Sequence, residues 1–296
     1  MPQLANSRPR IACEIAADRV VAARAHEGAM LMDVHSTRRL SEGAVVPGLA
    51  AGNVARPDEL RLAVSDVLSA VGGRTRDIVV VIPDAAVRVM LLDFETLPED
   101  PVEAAGIVRF RLRKSLPFDI DQAALSYQAR RAADTIRVVA AVAPRPVVQE
   151  YESAFVDLGY APGVVLPSML ATLGVVAGER PTMVVKIDRG TITVAIVDDN
   201  ELRLFRTLEN PGGARVNGAQ LASEIYPSVV FFEDTFGEHI EGILVSGASA
   251  SEIAPALQEQ SNARVQDLPL ARFVSGELPA DVPSWSLAGV AGALLG

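Results

Sequence analysis

The sequence predicts an α/β protein made of two copies of one unit, with an α+β segment inserted in the first. Three observations carry this. The order apolar strand, acid, turn, two strands, helix, buried strand runs from Ile11 to Ile82 and again from Val184 to Val245. Uninterrupted apolar runs, such as IVVVI at 78–82, read as strands buried on both faces. Between the copies, residues 83–159 spell strand, helix, strand, strand, helix. The expected units are 1–82, completed by 160–180 and 284–296; the insert 83–159; and a second unit 181–283.

Bulk properties narrow the function classes. The length of 296 residues fits about two domains, and 49% hydrophobic with 22% charged residues is an ordinary globular profile. A net charge of −10 argues against a nucleic-acid-binding surface. Only Lys114 and Lys186 are lysines, and no G-x-x-x-x-G-K-S/T phosphate loop exists. The polar start MPQLANSRPR is no signal peptide, and no apolar run approaches the ~18 residues that span a bilayer. The single Cys13 lies in an apolar run, which predicts a small buried residue and fits a reducing compartment. His26, His35 and His239 show no metal-ligand spacing, and no G-x-S-x-G elbow frames a serine.

Taken in order, Ile11–Ile15, Val20–Ala25 and Ala29–Val34 read as a strand meander with turns at Ala16-Ala17-Asp18 and Glu27-Gly28. Ser41–Asn53 is loop. Pro57–Val71 is a helix, because Leu60, Val64, Val67, Leu68 and Val71 share one face and Gly72-Gly73 ends it. Asp77–Ile82 follows as a strand, then Val87–Phe94. Thr135–Ala143 is a strand and Pro146–Leu158 a helix closed by Gly159; Val164–Val176 reads as a helix returning the chain to the first unit. The second copy runs through Met183–Ile187, Ile192–Val197, Glu201–Leu208, a helix at 220–236 and Gly242–Val245. Ser249 and Glu252 have capping-box spacing for a helix at 251–260. Arg264–Leu268 reads as a further strand, Phe273–Pro283 as loop, and Ser284 as the cap of a last helix ending near Leu295.

The stretch Phe110–Tyr127 is less ordinary. Asp100 suits an N-cap and Pro101 the first helical position; Ala105, Val108, Leu112 and Leu116 form an apolar stripe. Arg109, Arg111, Arg113 and Lys114 crowd the other faces, and Pro117 stops the helix. Phe118 and Ile120 then alternate with Asp119 and Asp121 before a strand begins near Ala124. By itself this reads as a solvated helix face and a loop.

Two facing copies with acids Glu14 and Asp188 at the first strand ends match the actin-like, ribonuclease H-like ATPase architecture. Within it, the chain resembles the PilM family of type IV pilus assembly. Pro117-Phe118-Asp119-Ile120-Asp121 matches that family's insert motif, and the VVVIPDAAVRVMLLDFETLP, VVAAVAPRPVVQEYESAFVDLGY and terminal SLAGVAGALLG segments fall in its order. The resemblance covers essentially the whole chain. It implies a cytoplasmic protein held at the inner membrane through partners. Its expected partner is the N-terminal cytoplasmic peptide of a PilN-like protein, docked between the first unit and the insert, with other pilus components beyond.

The resemblance also implies a nucleotide site, and here the sequence departs. The first phosphate loop reads Glu14-Ile15-Ala16-Ala17-Asp18-Arg19-Val20-Val21, with Ala16 for the expected glycine, Val21 for a lysine, and a negative Asp18. The connecting Val164-Val165-Leu166-Pro167-Ser168 has no carboxylate. Asp188, Gly190 and Thr191 of the second loop and Gly247 of the adenosine turn are kept. Few residues separate Pro211-Gly212-Gly213 from the helix at 223–232, so the second half's subdomain is reduced. Hydrolysis needs metal, phosphate donors and a positioned water together. The expectation is therefore a pseudo-ATPase scaffold without cofactor or metal. Its partner contacts are sought at Arg109, Arg111, Arg113, Lys114, Pro117, Phe118 and Asp119. One alternative keeps Mg-ATP on Asp188, Gly190, Thr191 and Gly247. A second is the cytoplasmic domain of a type II secretion platform protein, which would continue into a membrane span that this chain, ending at Gly296, lacks.

Overall fold

The computed structural model describes residues 9–73, 75–132, 134–210, 213, 217–276, 278 and 282–296. Residues 1–8 of the polar start and Pro211-Gly212 lie outside them. Strands β1 (Ile11–Ile15), β2 (Arg19–Ala25) and β3 (Met32–Arg39) form the antiparallel meander. β3 begins later than Ala29 and runs to Arg39, because it pairs with the whole of β2 and its half-exposed Asp33, His35 and Thr37 hide the apolar signal. Helix α1 (Pro57–Val71) and strand β4 (Asp77–Ile82) follow as predicted, β4 parallel to β1.

The insert holds β5 (Arg88–Phe94), helix α2 (Pro101–Leu112), β6 (Ala123–Ala132) and β7 (Thr135–Pro144). Its antiparallel sheet has the order β5-β7-β6. The N–H groups of Val102 and Glu103 donate to Asp100 at 2.9 Å, so the predicted cap forms. The helix ends at Leu112 and buries Ala104, Val108 and Leu112; Ala105 is half-buried and Leu116 lies beyond the last turn. Period-2 alternation along β7 sends Val138, Ala140 and Val142 against that face of α2.

Helix α3 (Arg145–Val156) returns to the first unit, where Val147, Tyr151 and Phe155 join the core under α1. The expected helix at 164–176 is instead strand β8 (Ala161–Pro167) followed by the short helix α4 (Ser168–Leu173). β-Branched Val164-Val165 and the stop at Pro167 favour an extended edge strand, here parallel to β4.

The second unit repeats the plan. β9 (Thr182–Asp188), β10 (Gly190–Asp198) and β11 (Glu201–Asn210) make a meander; helix α5 (Gly218–Phe236), β12 (Gly242–Ser246), helix α6 (Ala250–Ser261) and β13 (Arg264–Asp267) complete it. The two large sheets have corresponding orders, β3-β2-β1-β4-β8 and β11-β10-β9-β12-β13, which is the duplication read from sequence. The Ser249–Glu252 capping box does not form. Ser249 hydrogen-bonds Ser251 at 2.8 Å, and the Asp267 carboxylate accepts from Ala250 N–H at 2.7 Å. Ser284 caps nothing either: a 3₁₀ turn over Ser284–Leu287 precedes the last helix, α7 (Ala288–Leu295).

Three layers of core result. Ile11, Cys13, Val80 and Ile82 face α1 and α3; Met183, Val185 and Ile243 face α5 and α6. The opposite faces of both sheets, including Ala12, Val81, Val184 and Leu244, meet α4 and α7 between the halves. Helix α7 is buried on every side, as its all-apolar sequence requires. Gly292 makes the close packing possible, since a Cβ there would lie 1.8 Å from the Ala171 carbonyl oxygen of α4.

Candidate functional site

The duplicated sheets bring the ends of β1 and β9 face to face. Alternation puts Glu14 with Ala12, and Lys186 with Val184, on the surfaces that meet between the halves. Glu14 and Lys186 are 2% and 4% exposed. Lys186 donates to the Asp188 carboxylate, and Ser168 Oγ donates to Glu14. Asp84, in the 3₁₀ turn after β4, accepts from Met169 N–H at 2.8 Å, while its Oδ2 is buried without a hydrogen-bond partner among the described residues. Arg19, opening β2, donates to Asp18 at 2.9 Å, lies 4.0 Å from Asp188 and stacks 5.1 Å from the Trp285 ring. Gly289 leaves room for the Glu14 carboxylate, because a Cβ there would sit 2.4 Å from Oε2.

Three carboxylates, Glu14, Asp84 and Asp188, thus share Lys186, and Arg19 adds a second cation beside Glu14 and Asp188. Burial pushes the Glu14 carboxyl up, opposed by Lys186 and Arg19. Burial also raises Asp84 to about 6, partly offset by Lys186. For Lys186, burial works against its charge, but Asp188, Glu14 and Asp84 outweigh it and the ammonium is held above its ordinary value.

The fit of Mg-ATP can be tested on this arrangement. The space enclosed by Glu14, Asp84, Ser168, Lys186 and Asp188 is about 10 Å³, room for one water at most. Small-molecule pockets run to roughly 300–1,000 Å³. The lysine that could meet a phosphate is already committed to Asp188, and Glu14 and Asp84 add negative charge beside it. No group of three His, Cys, Asp or Glu able to hold a metal occurs among the described residues. The residues present do not fit a magnesium triphosphate as arranged.

Of the residues expected at that site, Asp188 and Thr191 line the cleft. Gly190 supplies the turn at φ +90°, and Asn210 donates to the Asp188 carbonyl at 2.9 Å behind it. Gly247 serves packing: at φ +95°, a Cβ there would lie 1.8 Å from the Ile187 oxygen. Lys186 and Asp84 are the members that sequence reasoning missed. A lysine inside a buried strand, in a chain with only two, was the available signal for the first.

A larger opening lies between the first unit and the insert. It measures about 510 Å³, with Gln128, Val139 and Ala141 of the insert sheet facing Leu166 of β8, Leu170 of α4 and Val176. It runs beside two sheet edges, β6 and β8, neither of which has a second strand partner among the described residues. One end is closed by Glu201, which accepts from Arg137 and lies 3.5 Å from Arg130. The basic helix and its Pro-Phe-Asp motif do not line this groove. Arg109 donates to the Ile120 carbonyl at 2.8 Å, Arg113 pairs with Asp121 at 3.0 Å, and Asp119 caps a 3₁₀ turn through Asp121 N–H. Phe118 packs into the insert core; Arg111, Lys114 and Pro117 are exposed.

No protein-family model and no curated protein matches the chain. Solved structures do. The chain is similar to the PilM–PilN type IV pilus biogenesis complex, with TM-score 0.79 and 17% identity over 97% of each chain. It is similar to the cytoplasmic domain of EpsL, an inner-membrane component of the type II secretion system of Vibrio cholerae, with TM-score 0.54 and 10% identity over 95% of this chain and 93% of that one. A Bacteroides thetaiotaomicron protein of actin-like ATPase fold matches at TM-score 0.53 and 8% identity, covering 99% and 98%. At these identities the likeness is one of fold, and the chain has the duplicated actin-like fold in the form found in the PilM–PilN complex.

Proposed function

We propose that the chain is a cytoplasmic adaptor of a type IV pilus machine that binds the extended N-terminal tail of a PilN-like inner-membrane protein and does not hydrolyse ATP. The groove between the first unit and the insert carries this reading. Its apolar walls suit alternate side chains of a strand-like peptide, and the free edges of β6 and β8 offer backbone hydrogen bonds. The likeness to the PilM–PilN complex supports the choice of partner. The filled, charge-paired cleft supports the loss of nucleotide chemistry. No described helix is long and apolar enough to cross a membrane, so attachment through a partner is consistent with the fold.

Calorimetry tests both halves of the proposal. Synthetic N-terminal tails of the inner-membrane proteins encoded beside this chain should bind with roughly micromolar affinity. Mg-ATP should give no heat of binding. Failure of every tail removes the adaptor reading, and ATP binding that Asp188→Ala abolishes removes the pseudo-ATPase reading.

A further inference from the structure

The most exposed large apolar side chains in the described structure are Val102 and Phe110, at 80% and 79%. Both lie on α2. With Gly106 between them they follow i, i+4, i+8 spacing, so they share the face opposite Ala104, Val108 and Leu112, and Ile107 borders it at 39% exposure. Phe110 is bracketed by Arg111, Arg113 and Lys114. Arg113 is paired with Asp121. Arg111 and Lys114 have no hydrogen-bond or ion-pair partner among the described residues, and both are exposed. This concentration of cations stands out against a chain charge of −10.

We infer that this face of α2 docks on an anionic lipid surface. Phe110 enters the boundary between headgroups and acyl chains. Arg111 and Lys114 lie at phosphate level with their stems along the apolar layer. The setting favours lipid over an acidic protein. Val102, Phe110, Arg111 and Lys114 line neither the groove nor the cleft, whereas a protein partner needs a complementary surface of about 1,000 Å² or more. Charge sets the orientation: Phe110 lies with Arg111 and Lys114 at the C-terminal end, which meets the membrane first, while Val102, beside Glu99, Asp100 and Glu103, stays at the edge of the contact. The acids at the cationic end are engaged, Asp121 by Arg113 and Asp119 in capping a 3₁₀ turn. Most of the groove's insert lining (Gln128, Val139 and Ala141) lies on the face of the sheet opposite α2, and Tyr127, which donates to the Pro101 carbonyl at 3.4 Å, is common to both.

Vesicle sedimentation of the full chain at low salt tests the inference. The chain should pellet with phosphatidylcholine vesicles containing one-third phosphatidylglycerol and stay in solution with phosphatidylcholine alone. Added salt should release it. Arg111→Gln and Lys114→Gln should each weaken binding about fivefold, and Phe110→Ser by at least as much. These side chains are exposed, so unchanged thermal midpoints serve as the folding control. Phe110→Trp should add an emission component that shifts to the blue with anionic vesicles. No enrichment on anionic vesicles, or sedimentation indifferent to Phe110→Ser, overturns the inference and leaves the face to an acidic protein.

Discussion

Lys186 donates to the carboxylate of Asp188 two residues further along the same strand, at the seam where the two halves meet. Alternate residues of a strand share a face, so the ammonium lies directly before the acid. Glu14 and Asp84 approach from the other half and contribute to holding the lysine charged. Where the actin-like resemblance implies Mg-ATP, the chain places its own cation between the halves.

Removing that cation should be severe. Lys186→Met leaves buried Glu14 and Asp84 and half-buried Asp188 with Arg19, beside Glu14 and Asp188, as the remaining cation, and an uncompensated buried charge costs about 3–5 kcal/mol. Adding Glu14→Gln to the variant should recover part of the loss, because one of the repelling charges goes. Urea unfolding of the single and double variants reads both effects. A loss below about 1 kcal/mol for Lys186→Met would show that the cluster adapts by taking up water or protons.

Asp84 gives the cleft a defined pH dependence. Its carboxyl titrates at about 6 in the folded chain against an ordinary 3.8, chiefly because of burial. A raised acid means that the folded state holds the proton more tightly than the unfolded one. Stability from this group is therefore present at low pH and is lost as pH rises from about 4 to 6, by roughly 3 kcal/mol. Asp84→Asn keeps an acceptor for Met169 N–H and removes the titration. The variant's advantage over the parent in urea midpoint should grow between pH 4.5 and 7, and parallel curves would refute the assignment.

The architecture was legible because duplication shows twice. Ile11–Ile82 and Val184–Val245 have the same order of elements, and the repeat survives misplacing single boundaries. What failed was local. Val164–Val176 has no period that separates a short apolar strand from a helix, and only parallel pairing with β4 decides it. Ser249 and Glu252 have the right spacing for a cap, but Asp267, brought in from β13, takes the exposed N–H first. The cleft was half legible: Asp188 and Thr191 were found, whereas Asp84 reaches it only through the fold.

Helix α7 should tolerate no added methyl at Gly292. A Cβ there meets the Ala171 carbonyl oxygen at 1.8 Å, and backbone cannot swing aside as a side chain can. Gly292→Ala must separate α4 from α7 within the layer between the sheets, an overpacking cost of about 3 kcal/mol or more. The thermal midpoint should fall by several degrees, while Gly276→Ala, at an open loop position with φ +87°, loses less.

Glu201 ties the insert to the second unit. It accepts from Arg137 of β7 and from Arg203 of its own strand at 2.7 Å, with Arg130 of β6 at 3.5 Å, and its side chain is 14% exposed. Glu201→Gln keeps the shape and removes the charge, so three guanidiniums lose their shared counterion. Stability should drop by about 1–2 kcal/mol. Amide exchange should quicken in β6, β7 and the turn at 198–202, with β1 and β4 unchanged. Arg130 and Arg137 also line the groove, and the variant leaves Arg130 without its counterion and Arg137 with only Asp93 at 3.9 Å. A groove-binding tail carrying an acid should then bind several-fold more tightly, and one carrying a lysine more weakly. Calorimetry with tails differing in that one residue checks this, and equal changes for both would place the tail's charge away from Glu201.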